Sequence, residues 1–450
     1  MSGEELLQYV ELAVKLAEKL GASEAEAFAS RVRGFDVSLK NNNLDQASSY
    51  DEAGLGLRVI ANKRIGFSYT SVLDKESIER LAERAVKLAR ASRPDPEWRG
   101  LPEAPSSYPQ VEGTYSGRVA GITSGEAVEL ASAMLEEALS DKRITVVYGS
   151  FFAGVGWKAV HNSHGVEATS SGTESMAWIE VVATSDSDTT PGCTSWAGSR
   201  VELVDTRIVA REAVERALTS LKPVGLEGGE MPVIFTEKAL FMLLNFSLHQ
   251  AVKGDNVVRG RSPYAGRLGE KVASESLTVR DRGLMPRGMA TDRFDDEGVP
   301  MRDKALIEAG VLKGFLYDTY WARRAGAEPT GNALRGGYSA MPVIRFTNLV
   351  VEPGDVSREE MLAETRRGLL VDDLQGAHST NPETGEFSVV ATPAWLVEGG
   401  ELRPVRGVML AGNVYELLKE LDMVGREVRP LGSFYSPWLR FSRIRVVSKQ

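Results

Sequence analysis

The chain has 450 residues, 42% hydrophobic and 26% charged, which is enough for two or three globular domains. Its formal net charge of −9 argues against non-specific binding to nucleic acid or to an anionic membrane, because both need a basic surface. The single cysteine, Cys193, excludes an internal disulfide and a cysteine-rich zinc site. No apolar run reaches the roughly 20 residues of a membrane helix, and the acidic start is unlike a secretory signal, so a cytoplasmic location is predicted.

The first half of the chain predicts helices and strands in a repeated order. Apolar residues at helical spacing predict a helix over 4–20, and the region that follows predicts short strands separated by turns at 41–43 and 61–64. A second helix begins near Asp74, a good N-cap. Later segments predict a proline-rich linker at about 92–115, a helix at 124–140, strands at 143–161 and 166–184, and a helix at 205–221.

The Gly- and Pro-rich segment 222–232 marks the main domain boundary. The second half begins with a strand, "PVIF", and a helix over 236–252, and short strands dominate after them. The predicted fold class is therefore α+β. An N-terminal two-layer α/β domain of two similar halves (1–226) precedes a β-rich C-terminal domain (227–450).

The stretch "HQAVKG" at 249–254 resembles the metal-binding helix of a zinc peptidase but lacks residues that such a helix needs. Two histidines one turn apart would hold the metal, and a glutamate would take a proton from the bound water. Here Gln250 follows His249, a glutamine amide cannot act as that base, and no second histidine follows. The favoured interpretation is an ordinary helical histidine.

Other metal or nucleophile sites remain open as alternatives. His249 and His378 with an aspartate such as Asp255 could bind zinc, although no spacing requires it. The turn "HNSHG" (161–165) brings two histidines close in sequence, His161 and His164, but a solvated turn is favoured. Cys193 has no histidine near it in sequence, which disfavours a catalytic thiol.

The acidic run "FDDEGVP" at 294–300 predicts a charged turn closed by Gly298. It does not fit a calcium-binding loop, which needs acids at alternate positions and a distant glutamate. No phosphate-binding loop and no dinucleotide fingerprint occur in the chain. The residues alone therefore give two domains and no intact catalytic constellation.

Several stretches together resemble the TldD/PmbA family. They are, in chain order, 52–92, "HNSHG" (161–165), 293–326, "PTGNALRGG" (329–337), "NPETGEFS" (381–388) and 395–413. The match covers nearly the whole chain, and the ordered set is far more specific than any single piece.

The resemblance implies a subunit of a paired particle that degrades unfolded peptides or processes small peptide precursors. In that family a TldD subunit carries zinc on His-Glu-x-x-x-His plus a downstream cysteine, and the PmbA (TldE) subunit lacks these ligands. The motif falls on His249, with Gln250 in the glutamate position and Gly254 in the second histidine position. The downstream cysteine is also missing, and "NPETGEFS" is similar to the PmbA branch.

The implied function is that of a non-catalytic PmbA/TldE-type subunit, which binds no metal itself and joins a TldD-like catalytic chain that holds zinc. Asn332 and Arg335 are the predicted peptide-binding residues, because they could reach a peptide's carbonyls or carboxylate. Two alternatives stay open: a self-sufficient metallopeptidase built on His249 and His378, and a non-enzymatic homodimeric peptide-binding protein. No nucleic-acid or membrane partner is expected.

Overall fold

The structure is a computed structural model that describes residues 2–448, and its first part is one sheet with helices. The helices of this part are α1 (Gly3–Lys19), α2 (Lys75–Ala91), α3 (Gly117–Ala120), α4 (Ser124–Ala138) and α5 (Thr206–Thr219). The strands are β1 (Glu24–Lys40), β2 (Asn43–Ala61), β3 (Arg64–Thr70), β4 (Ile144–Asn162), β5 (Glu167–Ser185), β6 (Asp188–Thr189) and β7 (Cys193–Ser199).

The seven strands form a single sheet in which two similar halves meet at β1 and β4. The strand order is β3-β2-β1-β4-β5-β6, and β7 also pairs with β5. Each half contributes a long helix, a run of antiparallel strands and a second long helix. The two first strands pair antiparallel with Gly34 opposite Gly154. The predicted two-layer arrangement of similar halves within an α+β fold is confirmed.

The four long helices lie on one face of this sheet and bury alternate strand residues. Odd-numbered positions such as Leu55, Leu57 and Val59 of β2 pack against α1 and α2. The same alternation in β4 and β5 supplies the core under α4 and α5. Because successive strand residues point to opposite faces, the even-numbered positions form the other face of the sheet.

The second part of the chain is built mainly from short strands. Its helices are α6 (Glu237–Asn245), α7 (Leu248–Ala251), α8 (Gly254–Val258), α9 (Thr319–Ala325), α10 (Arg358–Glu364) and α11 (Val414–Leu417), with a 3-10 turn at Ala377–Ser379. Its strands are β8 (Gly229–Phe235), β9 (Val279–Arg282), β10 (Asp303–Glu308), β11 (Val311–Leu312), β12 (Ala333–Leu334), β13 (Val343–Ile344), β14 (Leu349–Val351), β15 (Arg367–Val371), β16 (Leu374–Gln375), β17 (Glu386–Ala391), β18 (Ala394–Glu398), β19 (Glu401–Val405), β20 (Val408–Asn413), β21 (Leu421–Val424), β22 (Arg429–Leu431), β23 (Phe434–Ser436) and β24 (Leu439–Ser448).

Two larger sheets and one apolar core organise this second part. A nine-stranded sheet runs β16-β17-β20-β24-β8-β15-β18-β19, with β21 beside β24, and a six-stranded sheet runs β11-β10-β9-β14-β23-β22. Strands of both sheets and α6 contribute side chains to the same core, with Phe235, Leu243 and Phe434 among its buried members.

The helix predicted over 236–252 is wrong as one continuous element. The structure ends α6 at Asn245 and begins α7 at Leu248. Between them Ser247 leaves helical geometry (φ −130°, ψ −83°), and its hydroxyl donates to the Leu243 carbonyl over 2.7 Å. A serine hydroxyl that bonds the preceding turn competes with the helical backbone pattern, which apolar periodicity does not reveal.

The even-numbered face of the seven-stranded sheet packs against residues 285–300 and 335–340 of the second part. A small apolar cluster sits at this contact, with Phe28 and Val160 from the sheet and Phe294 from the second part. Gly298 has φ +83°, and a Cβ there would lie 2.3 Å from the Val166 side chain, so only glycine fits the turn. Within residues 2–448 no helix has both the length and the apolar character needed to span a membrane.

Candidate functional site

The helix that carries His249 is short, and the histidine side chain is buried. Only 9% of His249 is exposed, and neither ring nitrogen has a hydrogen-bond partner within residues 2–448. The ring packs on Phe346 with 4.2 Å between the ring centroids. Burial lowers the pKa of His249 to about 3, and the positive charges of Lys253 and Arg345 act in the same direction. The imidazole is therefore neutral at physiological pH.

The second histidine position of the metal motif has no room for a side chain. A Cβ at Gly254 would lie 2.0 Å from Cδ1 and 2.2 Å from Cε1 of Tyr317. The Gly254 amide also donates to the Leu316 carbonyl over 2.7 Å, which fixes the backbone against that segment. An imidazole could stand there only if the Tyr317 ring moved away.

The alternative zinc ligands lie in unlike surroundings. His378 is exposed in the 3-10 turn, where its ring faces the edge of Phe246. One carboxylate oxygen of Asp255 is buried without a partner from residues 2–448, and the other lies 3.5 Å from Arg259. Across the described chain, no three or more His, Cys, Asp or Glu side chains gather into a group that could hold a metal ion. The residues present do not fit a zinc ion.

The remaining histidines and the cysteine occupy structural positions. His164 lies in the turn after β4, with Nδ1 3.0 Å from Glu103 and Nε2 3.5 Å from Glu24. His161 lies on β4, and its buried Nδ1 has no hydrogen-bond partner in the described part of the chain. Burial raises the pKa of the Cys193 thiol to about 11, so this sulfur is a poor nucleophile at neutral pH.

A buried network of charges joins the sheet to the second part, and the sequence did not predict it. Arg58 on β2 donates to Glu26 over 2.7 Å and to Glu297 over 2.8 Å, and all three side chains are less than 5% exposed. Glu26 also accepts from Arg335. Burial alone would raise the pKa of Glu297, but Arg58 and the backbone amide of Thr319 hold it below its ordinary value.

The acidic turn predicted at 294–300 is present, but its acids are buried in this network rather than solvated. Asp295 accepts backbone N–H groups from Glu297, Val299 and Ala333. Asp296 accepts from Lys158, whose ammonium also lies 3.0 Å from Asp292. The turn therefore fastens the second part to the sheet.

The two predicted peptide-binding residues belong to the same region and are held inside the chain. The Asn332 amide is fully buried and donates to Asp281 and to the Arg345 carbonyl, each over 2.8 Å. Arg335 donates to Glu26 and to the Ala340 carbonyl, and it borders a cavity at the same face of the sheet. The Asn332 side chain thus has no free N–H to offer a peptide.

This cavity, here called the inner groove, is an open trough of about 340 Å³ on the even-numbered face. Its floor includes Gly154, Gly156 and Gly172, and its sides include Phe152 and Glu174. A second open cavity of about 600 Å³ adjoins it and shares Trp157, Ser170, Ser171 and Asp292. Lys158, Asp296 and Arg335 of the charge network line the inner groove directly.

Three stretches of the chain match family models of one protein family. Residues 25–89 match PmbA/TldA metallopeptidase domain 1, residues 118–221 match the central domain, and residues 228–448 match the C-terminal domain. Metalloprotease PmbA of Escherichia coli O157:H7 is 29% identical and is matched over 94% of this chain and 92% of its own length. This chain belongs to the PmbA/TldD metallopeptidase family.

Solved structures of PmbA/TldD relatives agree with the fold. TldE from Thermococcus kodakarensis superposes with a TM-score of 0.91 at 33% identity, over 97% of this chain and 99% of the relative. A protein from Thermotoga maritima described as a putative modulator of a DNA gyrase gives a TM-score of 0.87 at 27% identity, over 98% and 99%. The resemblance predicted from the quoted motifs is thus confirmed at the level of family and fold.

The PmbA/TldD motifs located the altered metal helix, but they did not locate the inner groove or the charge network. One local signal was available: Arg58 interrupts the apolar run "LGLRVIA", and Lys158 stands in the strand segment "GWKAV". A charge inside an otherwise apolar strand indicates a second buried face. Its partners are not identifiable from sequence, because Glu297 is 239 residues from Arg58.

Proposed function

We propose that this chain is a non-catalytic PmbA/TldE-type subunit that joins a zinc-bearing, TldD-like chain acting on unfolded peptides or small peptide precursors. Its role is to complete the particle and hold peptide near the partner's metal. The partner chain, the zinc on that partner, the peptide substrate and the cytoplasmic location are all parts of this proposal.

The contact between Gly254 and Tyr317 carries the proposal. A zinc peptidase needs two imidazoles one helical turn apart, and here a second imidazole would overlap the tyrosine ring. Gln250 supports the same conclusion, since its amide cannot accept a proton from water and instead lies 3.5 Å from the Asn245 carbonyl.

The electrostatic surroundings of His249 also disfavour a metal ion. Lys253 and Arg345 act on the imidazole strongly enough to contribute to its lowered pKa. The same positive field would oppose a divalent cation at the ring nitrogens, and no carboxylate of the described chain joins His249 in a ligand group.

The test combines this chain with a TldD-like chain that carries an intact His-Glu-x-x-x-His motif. Zinc per chain is measured by elemental analysis on each protein alone, assembly by light scattering coupled to size exclusion, and cleavage with an unfolded peptide. The expected result is zinc only on the TldD-like chain, a mixed particle, and faster cleavage by the mixture than by either chain alone. His249→Ala in this chain is expected to leave zinc and cleavage unchanged.

Two outcomes would overturn the proposal and select an alternative. Zinc near one per chain together with cleavage by this chain alone, both lost in His249→Ala, would show a self-sufficient peptidase. A homodimer that binds peptide, ignores the TldD-like chain and has no effect on its turnover would show a separate binding protein.

A further inference from the structure

We propose that the inner groove binds a basic side chain of an extended peptide, with the ammonium or guanidinium group paired to Glu174. This inference rests on the proposed role in peptide handling and adds to it a site and a preference for lysine or arginine.

The shape of the groove comes from glycines on neighbouring strands. Gly34 faces Gly154 across β1 and β4, and Gly156 faces Gly172 across β4 and β5. A Cβ on Gly154 would lie 2.6 Å from the Arg33 carbonyl oxygen, so the strands approach too closely for any other residue. At Gly156 the nearest such atom is 3.8 Å away, so a side chain there would occupy the open trough.

Apolar groups beside the glycines suit the methylene stem of a lysine or arginine. Phe152 borders the groove and stacks on Tyr50, with 5.7 Å between ring centroids and 16° between ring planes. Val32 also lines the groove and remains 39% exposed. Long basic side chains favour such places because their stems can bury apolar surface while the charged end reaches a polar group.

The cations that line the groove already have partners inside the chain. Lys158 lies between Asp292 and Asp296, at 3.0 and 2.9 Å. Arg335 pairs with Glu26. Arg200 donates to the carbonyls of Met289, Thr291 and Thr114 over 3.0–3.2 Å. These cations are therefore occupied and do not present a ready site for an anionic ligand.

Glu174 differs from the other charged groups of the groove. It is half-buried on β5, and no hydrogen bond or ion pair from any other residue between 2 and 448 reaches its carboxylate. Burial raises the pKa of Glu174, and the nearby charge of Arg200 opposes that rise without forming an ion pair. A ligand cation would supply the missing partner, whereas a single carboxylate is too few ligands for Ca²⁺ or Mg²⁺.

The experiment measures binding of two fluorescein-labelled hexapeptides to the purified chain without any peptidase. The peptides differ only at one central residue, lysine or the uncharged isostere norleucine. The lysine peptide is expected to bind about tenfold more tightly, the equivalent of one buried charge-assisted pair. Glu174→Gln is expected to remove that preference. Glu167→Gln, an exposed site on the same strand outside the groove, is expected to retain it.

A steric variant tests the site without changing charge. Gly156→Val adds a side chain into the trough and is expected to weaken binding of both peptides about equally. Circular dichroism and thermal melting confirm that each variant folds, and Glu174→Gln should fold well because burial already disfavours the charged carboxylate.

The inference is overturned if the wild-type chain binds both peptides equally, binds neither, or keeps the lysine preference in Glu174→Gln. These outcomes leave the subunit proposal to its own assembly test. If the wild-type chain prefers the lysine peptide, loses that preference in Glu174→Gln, and never joins a TldD-like partner, the subunit proposal is overturned and the groove proposal stands.

Discussion

The two faces of the seven-stranded sheet are buried by different kinds of contact. On the helix-bearing face, Leu55, Leu57 and Val59 pack into an apolar core with residues of α1 and α2. On the opposite face, Glu26 and Arg58 are equally buried but are held by ion pairs and by Glu297 from the second part of the chain. Burial by packing depends on volume, whereas burial of charge depends on every partner being present.

The largest loss of stability is expected when one cation is removed from the charged face. Arg58→Met leaves Glu26 and Glu297 buried without their shared donor and is expected to destabilise the fold by about 3–5 kcal/mol. Chemical denaturation at neutral pH measures the loss. Adding Glu297→Gln to Arg58→Met should recover part of it, because the amide oxygen still accepts from Thr319 and the unpaired charge is gone. A loss below about 1 kcal/mol, the value for an exposed pair, would contradict this account.

Leu57, next to Arg58 in the sequence, tests the apolar face in the same denaturation experiment. Leu57→Ala opens a cavity under α1 and α2 and is expected to cost about 2–5 kcal/mol. No second substitution of a charged residue should rescue it, since the loss is one of volume. Rescue of Leu57→Ala by Glu297→Gln would show that the two faces are not independent.

His249 is a buried polar group whose ring nitrogens have no hydrogen-bond partner among residues 2–448. Its pKa is about 3 in the folded chain and ordinarily near 6.5, so between these values the unfolded chain binds the extra proton. Stability from this group is therefore present above pH 6.5 and is lost as pH falls towards 3. Relative to His249→Leu, the wild type is expected to lose about 2 kcal/mol between pH 7 and pH 5. If the free energy of unfolding changes equally for wild type and His249→Leu between pH 7 and pH 5, the prediction is refuted.

The smallest effect is expected at the N-terminus of α2, on the helix-bearing face of the sheet. Asp74 caps α2 by accepting the Ser77 amide over 2.7 Å. Asp74→Ala is expected to cost about 1 kcal/mol, while Asp74→Ser should cost less because a hydroxyl can also cap. Equal losses for the two variants in thermal melts would mean that the cap itself is not the stabilising contact.

The helix-bearing face could be predicted from the sequence because its signals are local. Apolar stripes and caps such as Asp74 predicted the long helices of the first part. The short strands predicted after the first helix are wrong in length, because glycines such as Gly34 stay within the strands and β1 and β2 run for 17 and 19 residues. The charged face could not be predicted, because a solvated acidic turn and a buried one can have the same amino-acid sequence. Only the fold brings Asp296 to Lys158, which lies 138 residues earlier in the chain.

The site residues named from the sequence stay predictions, and the structure adds the surroundings of each. The family motif located His249, Gln250 and Gly254, and the structure added the physical reason that position 254 excludes an imidazole. Asn332 was predicted as a peptide contact because its side chain could reach a peptide's carbonyls, and in the structure its amide donates to Asp281 and to the Arg345 carbonyl instead. Polarity and nearby glycines do not distinguish a surface loop from a buried hydrogen-bonded junction.

The pairing of β1 with β4 also imposes an order of assembly during synthesis. Glu26 on β1 pairs with Asn162 on β4, so β1 can complete its pairing only after more than 100 further residues have been synthesised. At ordinary translation rates this takes on the order of 10 s. Glu26 and Arg58 wait longer still, until residue 297 emerges. Until then Arg58 and Glu26 lack the Glu297 carboxylate that shares their network in the folded chain. The even-numbered face of the sheet therefore reaches its final burial only after most of the second part has been synthesised.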